Sequence, residues 1–152
     1  MKISHFLNRD AIIADLKARD KPGVIDELAT AVSRTCKIPA HTITRILLER
    51  ENLGSTGIGG GIAIPHGKLN LTESIIIGFG LSKEGVAYES LDNKPVHIFF
   101  VLLTSTDSTG GHLKVLAQIS KLLKTDEFKN GLLSADSVND IYEIIMGKDE
   151  EF

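Results

Sequence analysis

Three absences narrow the class of protein before any motif is considered. With a single cysteine, Cys36, the chain cannot form an internal disulfide, which favours a reducing compartment. No apolar run approaches the ~20 residues of a membrane-spanning helix, and residues 1–5 lack the apolar core of a secretion signal. The net charge is −3 and no run of Lys and Arg exceeds two residues, which disfavours non-specific nucleic-acid binding. We therefore expect a cytoplasmic protein.

Familiar catalytic motifs are also missing. Residues 61–68 differ from a phosphate-binding P-loop by one additional residue, and Leu69 stands where that motif requires Ser or Thr. Residues 57–59 form half of a dinucleotide-binding fingerprint, but no helical pattern follows them. Ser55 has neither the spacing of a nucleophile elbow nor a base beside it in the sequence. Nucleotide binding and serine hydrolase chemistry are therefore weakly supported.

Metal chemistry has little support either. The chain has no HExxH motif and no pair of cysteines, and its five histidines are scattered. A metal site built on His66 and His112 lacks an Asp or Glu at ligand spacing. We predict neither a metal nor a cofactor, and a hydrolytic metalloenzyme stays as an outside alternative.

Length and hydrophobic periodicity predict a single α/β domain over residues 1–152. The chain is long enough to bury a core, its 42% apolar and 24% charged residues are ordinary for a globular domain, and no repeat or linker divides it. The larger predicted elements are helices over 21–36, from Pro39 to Gly54 and after Gly111, and buried strands over 75–79 and 95–103. The second strand is apolar on both faces, as expected of a central strand covered by helices.

Residues 54–68 are unusually rich in glycine and end beside a histidine. This stretch holds six of the fourteen glycines, and His66 lies between Pro65 and Gly67. Glycine lets backbone amides turn toward a ligand, and proline stiffens the approach to the histidine. The apolar residues 62–64 indicate a short buried strand just before it. We predict that the imidazole lies on a rigid loop beside unpaired N–H groups, a setting suited to anions.

Arg50 continues the apolar face of the second predicted helix. It falls at helical spacing from Ile43, Ile46 and Leu47, where a charged group needs an anionic partner or a route to water. Two interpretations fit this spacing. Arg50 is either a cation at a helix C-terminus with a solvated head, or a ligand for an anion held by the neighbouring loop.

Two further histidines occupy apolar patterns. His112 lies on the inward stripe in the first turn of the helix after Gly111, where a helix N-terminus favours a neutral imidazole and a bound anion. A core histidine satisfied by a backbone group fits His112 equally well. His97 interrupts the second buried strand, and we expect a hydrogen-bonded structural histidine there.

The chemistry that these residues support best is phosphoryl acceptance by a histidine. Imidazole is neutral and nucleophilic near neutral pH because its unperturbed pKa is ~6.5. A phosphoryl group on its nitrogen carries negative charge that amides, a guanidinium or a second imidazole can meet. The chain offers all three in the amides of residues 57–61, in Arg50 and in His112.

The motif from Arg50 to Lys68 resembles the active-site signature of the mannitol/fructose-class enzyme IIA proteins of the bacterial phosphoenolpyruvate-dependent phosphotransferase system (PTS). Within that group it is most similar to the nitrogen-regulatory enzyme IIA, because of the run Gly-Ser-Thr-Gly-Ile-Gly over 54–59 and the ending Ile-Ala-Ile-Pro-His-Gly-Lys over 62–68. Weaker matches, such as residues 91–96, extend along nearly the whole chain. The resemblance implies a single α/β domain with a mixed sheet flanked by helices on both sides.

The resemblance also implies a role for each residue of the motif. His66 is implied to be the residue phosphorylated on Nε2, by a histidine phosphocarrier protein of the HPr or NPr type, with Arg50 and His112 stabilising the transferred group. The residues implied to surround the phosphoryl group are Ser55, Thr56, Gly57 and Gly67. One position departs from the pattern: nitrogen-regulatory members often carry a second histidine two residues after the first, where this chain has Lys114.

Three functions remain open from the sequence, besides the outside alternative of a hydrolytic metalloenzyme. The leading hypothesis is a phosphotransferase component that regulates target proteins according to its phosphorylation state. The alternative within the family is a sugar-specific IIA that passes the phosphoryl group to a separate IIB and so to fructose or mannitol. A binding module that keeps the motif but does not depend on phosphorylation is a hypothesis of a different class.

Overall fold

A computed structural model describes residues 3–71, 75–106 and 109–149, with the backbone alone for residues 4, 109–112 and 149. A short 3₁₀ turn, Ile3–His5, precedes the first strand. The strands are β1 (Leu7–Ile13), β2 (Gly57–Gly59), β3 (Ile62–Ala63), β4 (His66–Leu69), β5 (Ile75–Val86) and β6 (Val96–Ser105). The helices are α1 (Lys21–Ser33), α2 (Ala40–Glu51), α3 (Thr109–Leu123), α4 (Asp126–Leu133) and α5 (Val138–Asp149).

The strands form one mixed sheet, as the resemblance implied. Its order is β1-β5-β6-β3-β2, and β4 also pairs with β6. The pairs β1–β5, β3–β6 and β4–β6 are parallel, whereas β5–β6 and β2–β3 are antiparallel. Strand β6 is therefore the centre of the sheet, in agreement with its prediction as a central strand.

Alternate residues of β6 pack into two separate cores. Ile98, Phe100 and Leu102 belong to the core that contains buried residues of α3, α4 and α5. Phe99, Val101 and Leu103 belong to the core beneath α1 and α2. Side chains of a strand point to opposite faces in turn, so a strand covered on both faces is apolar throughout. Helices on both sides of the sheet confirm the predicted fold class.

The two helices that cover one face begin where the sequence predicted. Asp20 precedes α1, and its side chain accepts a hydrogen bond from the Gly23 amide at 2.8 Å. Pro39 precedes α2 in an extended conformation. Their ends differ from the prediction: α1 stops at Ser33, and α2 stops at Glu51 with Asn52 in a right-handed conformation rather than at Gly54. Gly54 follows with a φ of 144° and lies in the connection to the sheet.

The glycine-rich stretch forms a hairpin, where the sequence predicted a rigid loop with a short buried strand at 62–64. Strands β2 and β3 pair with each other. The chain reverses direction at residues 59–61, whose φ values of 96°, 66° and 81° are ones that glycine adopts readily. The Gly60 amide donates to Asp92 at 3.0 Å. His66 also begins a strand, because β4 pairs with β6 and the Leu102 amide donates to the Pro65 carbonyl at 3.0 Å. Strand pairing therefore holds the backbone at His66.

None of the helices in the described part of the chain has the length and apolarity that crossing a lipid bilayer requires.

Candidate functional site

The site is built around the imidazole of His66. Its Nδ1 lies 2.7 Å from the Ile64 carbonyl oxygen. A carbonyl oxygen only accepts hydrogen bonds, so the Nδ1 atom carries the proton and the Nε2 atom keeps its lone pair. The half-buried ring thus presents a nucleophilic nitrogen whose orientation is set by the backbone two residues earlier.

Arg50 meets that nitrogen from the last turn of α2. Its Nε donates to Nε2 of His66 at 3.3 Å, and its Nη1 donates to the Gly54 carbonyl at 2.8 Å. Within the described residues, the guanidinium hydrogen-bonds His66 and the Gly54 carbonyl instead of extending freely into water. Binding of an anion by Arg50 stays a prediction. The position at a helix C-terminus is shared by both interpretations.

Gly67 allows α2 to approach β4 closely enough for this contact. A Cβ placed on Gly67 would lie 2.5 Å from Cγ2 of Ile46, closer than real carbon contacts allow. Ile46 is one turn before Arg50 on the same helix. The predicted site residue Gly67 therefore has a clear packing role, since any larger residue would require the Ile46 side chain or α2 to move.

Burial lowers the pKa of His66 below its ordinary value of 6.5. Loss of solvation is the main cause, and the positive charge of Arg50 lowers the pKa further. The hydrogen bond to the Ile64 carbonyl and the negative charge of Glu51 act in the opposite direction but do not outweigh the burial. The imidazole is therefore neutral at neutral pH, which is the form that can act as a nucleophile.

The three loop residues predicted to surround a phosphoryl group make contacts within the protein. The Ser55 hydroxyl donates to the Tyr88 carbonyl at 3.4 Å and accepts from the Gly57 amide at 3.1 Å. Thr56 is buried, and its hydroxyl hydrogen-bonds the carboxylate of Glu51. These contacts shape the segment between α2 and the hairpin. Direct contact of Ser55, Thr56 or Gly57 with a phosphoryl group stays a prediction.

His112 lies in the first turn of α3, at the end where the sequence analysis placed it. Its side chain is outside the described residues, so the predicted proximity of His112 to His66 stays a prediction. The prediction of a hydrogen-bonded structural histidine at position 97 is confirmed, because Nδ1 of His97 lies 2.9 Å from the Ser82 carbonyl oxygen.

Two charged residues near the site were missed in the sequence analysis. Lys68 follows His66 by two residues on β4, and residues two apart on a strand share a face. Glu51 is buried, with an exposed fraction of 7%. It follows Ile43 and Leu47 at intervals of four, so the same helical stripe that marked Arg50 also contained the signal for Glu51.

A surface pocket of about 380 Å³ opens over the imidazole. It is lined by Ile46, Glu49, Arg50, Leu53, His66, Gly67 and Lys68. Two of the lining side chains are cationic, and Leu53 is 84% exposed beside them. This combination can hold an anion near Nε2 and offers an apolar contact to a partner. Within the described residues, no group of three His, Cys, Asp or Glu side chains is arranged to bind a metal.

Comparison with known proteins gives the class to which this fold and site belong. The family described as "Phosphoenolpyruvate-dependent sugar phosphotransferase system, EIIA 2" matches residues 5–148. The chain belongs to this family, and both the sheet architecture and the motif around His66 agree with the resemblance found in the sequence.

The relatives include regulatory and sugar-specific proteins. A nitrogen regulatory protein from Bradyrhizobium diazoefficiens is 33% identical over 145 residues, which cover 95% of each chain. The fructose-specific EIIABC component of Bacillus subtilis is 38% identical over 151 residues, and this chain spans only 24% of that protein's length. The structure of nitrogen regulatory protein IIA-Ntr from Neisseria meningitidis superposes with a TM-score of 0.87 at 29% identity, covering 94% of this chain and 98% of that one.

Proposed function

We propose that this protein accepts a phosphoryl group on Nε2 of His66 and regulates other proteins according to its phosphorylation state. The single observation that carries this proposal is the state of the ring. Its Nδ1 is 2.7 Å from a backbone carbonyl, and its Nε2 is 3.3 Å from the Nε of Arg50. The nucleophilic atom and the cation therefore lie together at the mouth of the pocket.

The chemistry requires little movement of protons. In the resting site the Nε2 lone pair accepts a hydrogen bond from Arg50, so the guanidinium turns toward the incoming phosphoryl oxygens before attack. The lone pair then attacks phosphorus while the bond from phosphorus to the nitrogen of the donor histidine breaks, and that electron pair returns to the donor. The His66 ring gains positive charge as the new bond forms, and its Nδ1 proton faces the Ile64 carbonyl, which stabilises that charge. Arg50 meets the negative oxygens, so the protein contributes mainly position and charge, as is usual in phosphoryl transfer.

The donor that fits this site is a histidine phosphocarrier protein. Members of the EIIA family receive phosphoryl groups from such carriers, and an imidazole can accept the group only if the two ring nitrogens approach closely. The pocket over His66 lies at the surface, and the exposed Leu53 is one of the residues that line it. These features suit contact with the surface of another protein better than enclosure of a small sugar.

Two observations favour a regulatory role. The nitrogen regulatory protein of Bradyrhizobium diazoefficiens matches along nearly its whole length, and the IIA-Ntr structure superposes closely. The alternative, a sugar-specific IIA, is favoured by the 38% identity to the fructose-specific EIIABC component. In that case the phosphoryl group would pass from His66 to a separate IIB.

The acceptor assignment is tested by phosphorylation in vitro. Purified protein is incubated with phosphoenolpyruvate, enzyme I and a histidine phosphocarrier protein, and the modified residue is mapped by mass spectrometry. We expect one acid-labile phosphoryl group in the wild type and none in His66→Ala. His41→Ala is the matched control, because His41 is exposed in the first turn of α2, and it should be phosphorylated normally. Phosphorylation of His66→Ala would contradict the assignment.

The two roles are separated by the fate of the phosphoryl group. Phosphorylated protein is mixed with fructose-specific or mannitol-specific IIB, and rapid transfer to IIB would favour the sugar-specific alternative. For the regulatory role, partners captured by wild type, His66→Ala and His66→Asp should differ. Identical partners for all three proteins would instead indicate a binding module that does not depend on phosphorylation.

A further inference from the structure

A buried carboxylate follows Arg50 in the chain and does not line the pocket over His66. Glu51 is the last residue of α2, and its side chain is 3% exposed. One carboxylate oxygen accepts a hydrogen bond from the Thr56 amide at 3.1 Å, and the other accepts from the Thr56 hydroxyl. A carboxylate removed from water requires several donors, and Thr56 supplies two.

Lys21 supplies the positive charge that balances this carboxylate. Its Nζ lies 3.0 Å from Oε1 of Glu51, and the Lys21 side chain is itself only 12% exposed. The same ammonium lies 4.9 Å from the centre of the Tyr88 ring. It also lies 3.5 Å from the exposed Glu89. The first turn of α1 is thereby connected to the last turn of α2 by an ion pair largely removed from water.

Tyr88, just after the end of β5, is the next residue of this network. Its hydroxyl lies 3.1 Å from the Thr56 hydroxyl. The Thr56 proton is directed to Glu51, so the Tyr88 hydroxyl is the donor in this pair. Burial raises the pKa of Tyr88 far above its usual range, which keeps that proton in place. The resulting chain of donors runs from Tyr88 through Thr56 to Glu51.

This network and the Arg50 contacts hold the same short segment. Between residues 50 and 56 the backbone leaves α2 and enters the hairpin. Arg50 is tied to the Gly54 carbonyl within that segment, and Glu51 is tied to Thr56 at its far end. The Gly54 carbonyl helps to orient the guanidinium of Arg50. The position of the guanidinium therefore depends on how firmly this segment is held.

We infer that Glu51 is a positioning residue for phosphoryl transfer, acting through Arg50, and that Lys21 is its counter-ion. This inference rests on the proposed function of His66. Stability alone gives a poor reason for burying such a pair, because the cost of desolvating two charges offsets much of their attraction. Holding the segment that presents Arg50 gives the pair a role at the site.

The experiment is a double-mutant cycle between Glu51→Gln and Arg50→Ala. Single-turnover rates are measured with a phosphorylated histidine phosphocarrier protein, and the rate at saturating carrier is separated from the apparent KM. Glu51→Gln keeps the shape of the side chain and removes its charge. We expect the maximal rate to fall about tenfold with little change in KM, since small displacements of a catalytic group cost one to two orders of magnitude. In the Arg50→Ala background, Glu51→Gln should change the rate by less than about twofold.

Controls separate this effect from a general loss of charge. Glu143→Gln removes an exposed carboxylate on α5 that lies 3.9 Å from Arg9, and Lys17→Met removes an exposed ammonium just before α1. Both should transfer at the wild-type rate, whereas Lys21→Met should resemble Glu51→Gln. Should Glu51→Gln not fold, Tyr88→Phe removes only the terminal donor and should give about a threefold loss that also disappears in the Arg50→Ala background.

The outcomes distinguish the inference from the proposed function. An unphosphorylated wild type would refute the function of His66 itself. A wild type that accepts the phosphoryl group normally, with Glu51→Gln folded and equally fast, would overturn the positioning role. An equal loss in both backgrounds would also overturn it, because Glu51 would then act independently of Arg50.

Discussion

Removing the guanidinium of Arg50 should slow phosphoryl transfer far more than it destabilises the protein. In Arg50→Ala the donor 3.3 Å from Nε2 of His66 disappears, together with the 2.8 Å hydrogen bond to the Gly54 carbonyl. The Cα position is unchanged and the residue is half-buried, so no large cavity opens in the core. The two consequences, for rate and for stability, can be estimated separately.

The loss of rate follows from charge stabilisation in the transition state. Removal of one well-placed donor to developing negative charge typically costs about 10²–10³ in rate. The loss of stability is smaller, because the two lost hydrogen bonds contribute about 1 kcal/mol each and a cation at a helix C-terminus contributes about 0.5 kcal/mol. Together these amount to about 2.5 kcal/mol, which lowers the Tm by about 5–10 °C for a domain of this size.

The assay compares single-turnover transfer with thermal unfolding on the same preparations. Arg45→Ala is the control, because Arg45 lies on the same helix and makes an exposed ion pair with Glu49 at 3.2 Å. It should leave both the rate and the Tm near their wild-type values, since exposed pairs contribute little. If Arg50→Ala lowers the Tm as expected but transfers within about threefold of wild type, the guanidinium only ends the helix and the proposed role is wrong.

Three other results are expected. Burial lowers the pKa of His66 below 6.5, so as the pH falls the unfolded chain binds a proton at this histidine before the folded protein does. The free energy of unfolding should therefore decrease as the pH falls below about 6.5, and this decrease should level off below the folded-state pKa of His66. An NMR titration measures this pKa directly, and a value of 6.5 or above would contradict the reasoning. Gly67→Ala should destabilise the protein by about 1–3 kcal/mol and slow transfer, because its methyl group would collide with Ile46. Combining Ile46→Ala with Gly67→Ala should restore part of the stability and part of the transfer rate. If neither recovers, α2 does not set the geometry of the site. Lys83→Met should cost about 1–2 kcal/mol in chemical denaturation, because its ammonium donates to the Leu133 and Ala135 carbonyls at 2.8 and 2.6 Å. Transfer should not change, because these two residues belong to the core on the face of the sheet opposite α2.

Local pattern was sufficient for much of the fold. The apolar run over β6 predicted a central strand because a strand buried on both faces cannot alternate with polar residues. The predicted starts of the first two helices, at residues 21 and 39, lie within one residue of the observed starts, where Asp20 caps α1 and Pro39 precedes α2. The end of α2 was harder to predict, because the capping contacts there involve Glu51 and residues that follow the helix.

The glycine-rich stretch shows where local pattern misleads. Its composition predicted a rigid loop with unpaired amides, but the strand pairing of β3 and β4 with β6 depends on residues some 35 positions away. The Gly60 amide likewise donates a hydrogen bond to Asp92, a contact that no residue near position 60 in the sequence predicts. Pairing partners of this kind are chosen by the whole sheet.

The sequence by itself determined which residues the proposed chemistry depends on, because a histidine between Pro65 and Gly67 and an arginine on an apolar helical stripe are visible as residue types and spacings. Only the tertiary structure decided how they are used. The proton on Nδ1 of His66, the approach of Arg50 and the burial of Glu51 each depend on atoms from different elements packing together. Distances of about 3 Å between such elements are set by the core beneath them, which is why they appear only when the chain is folded.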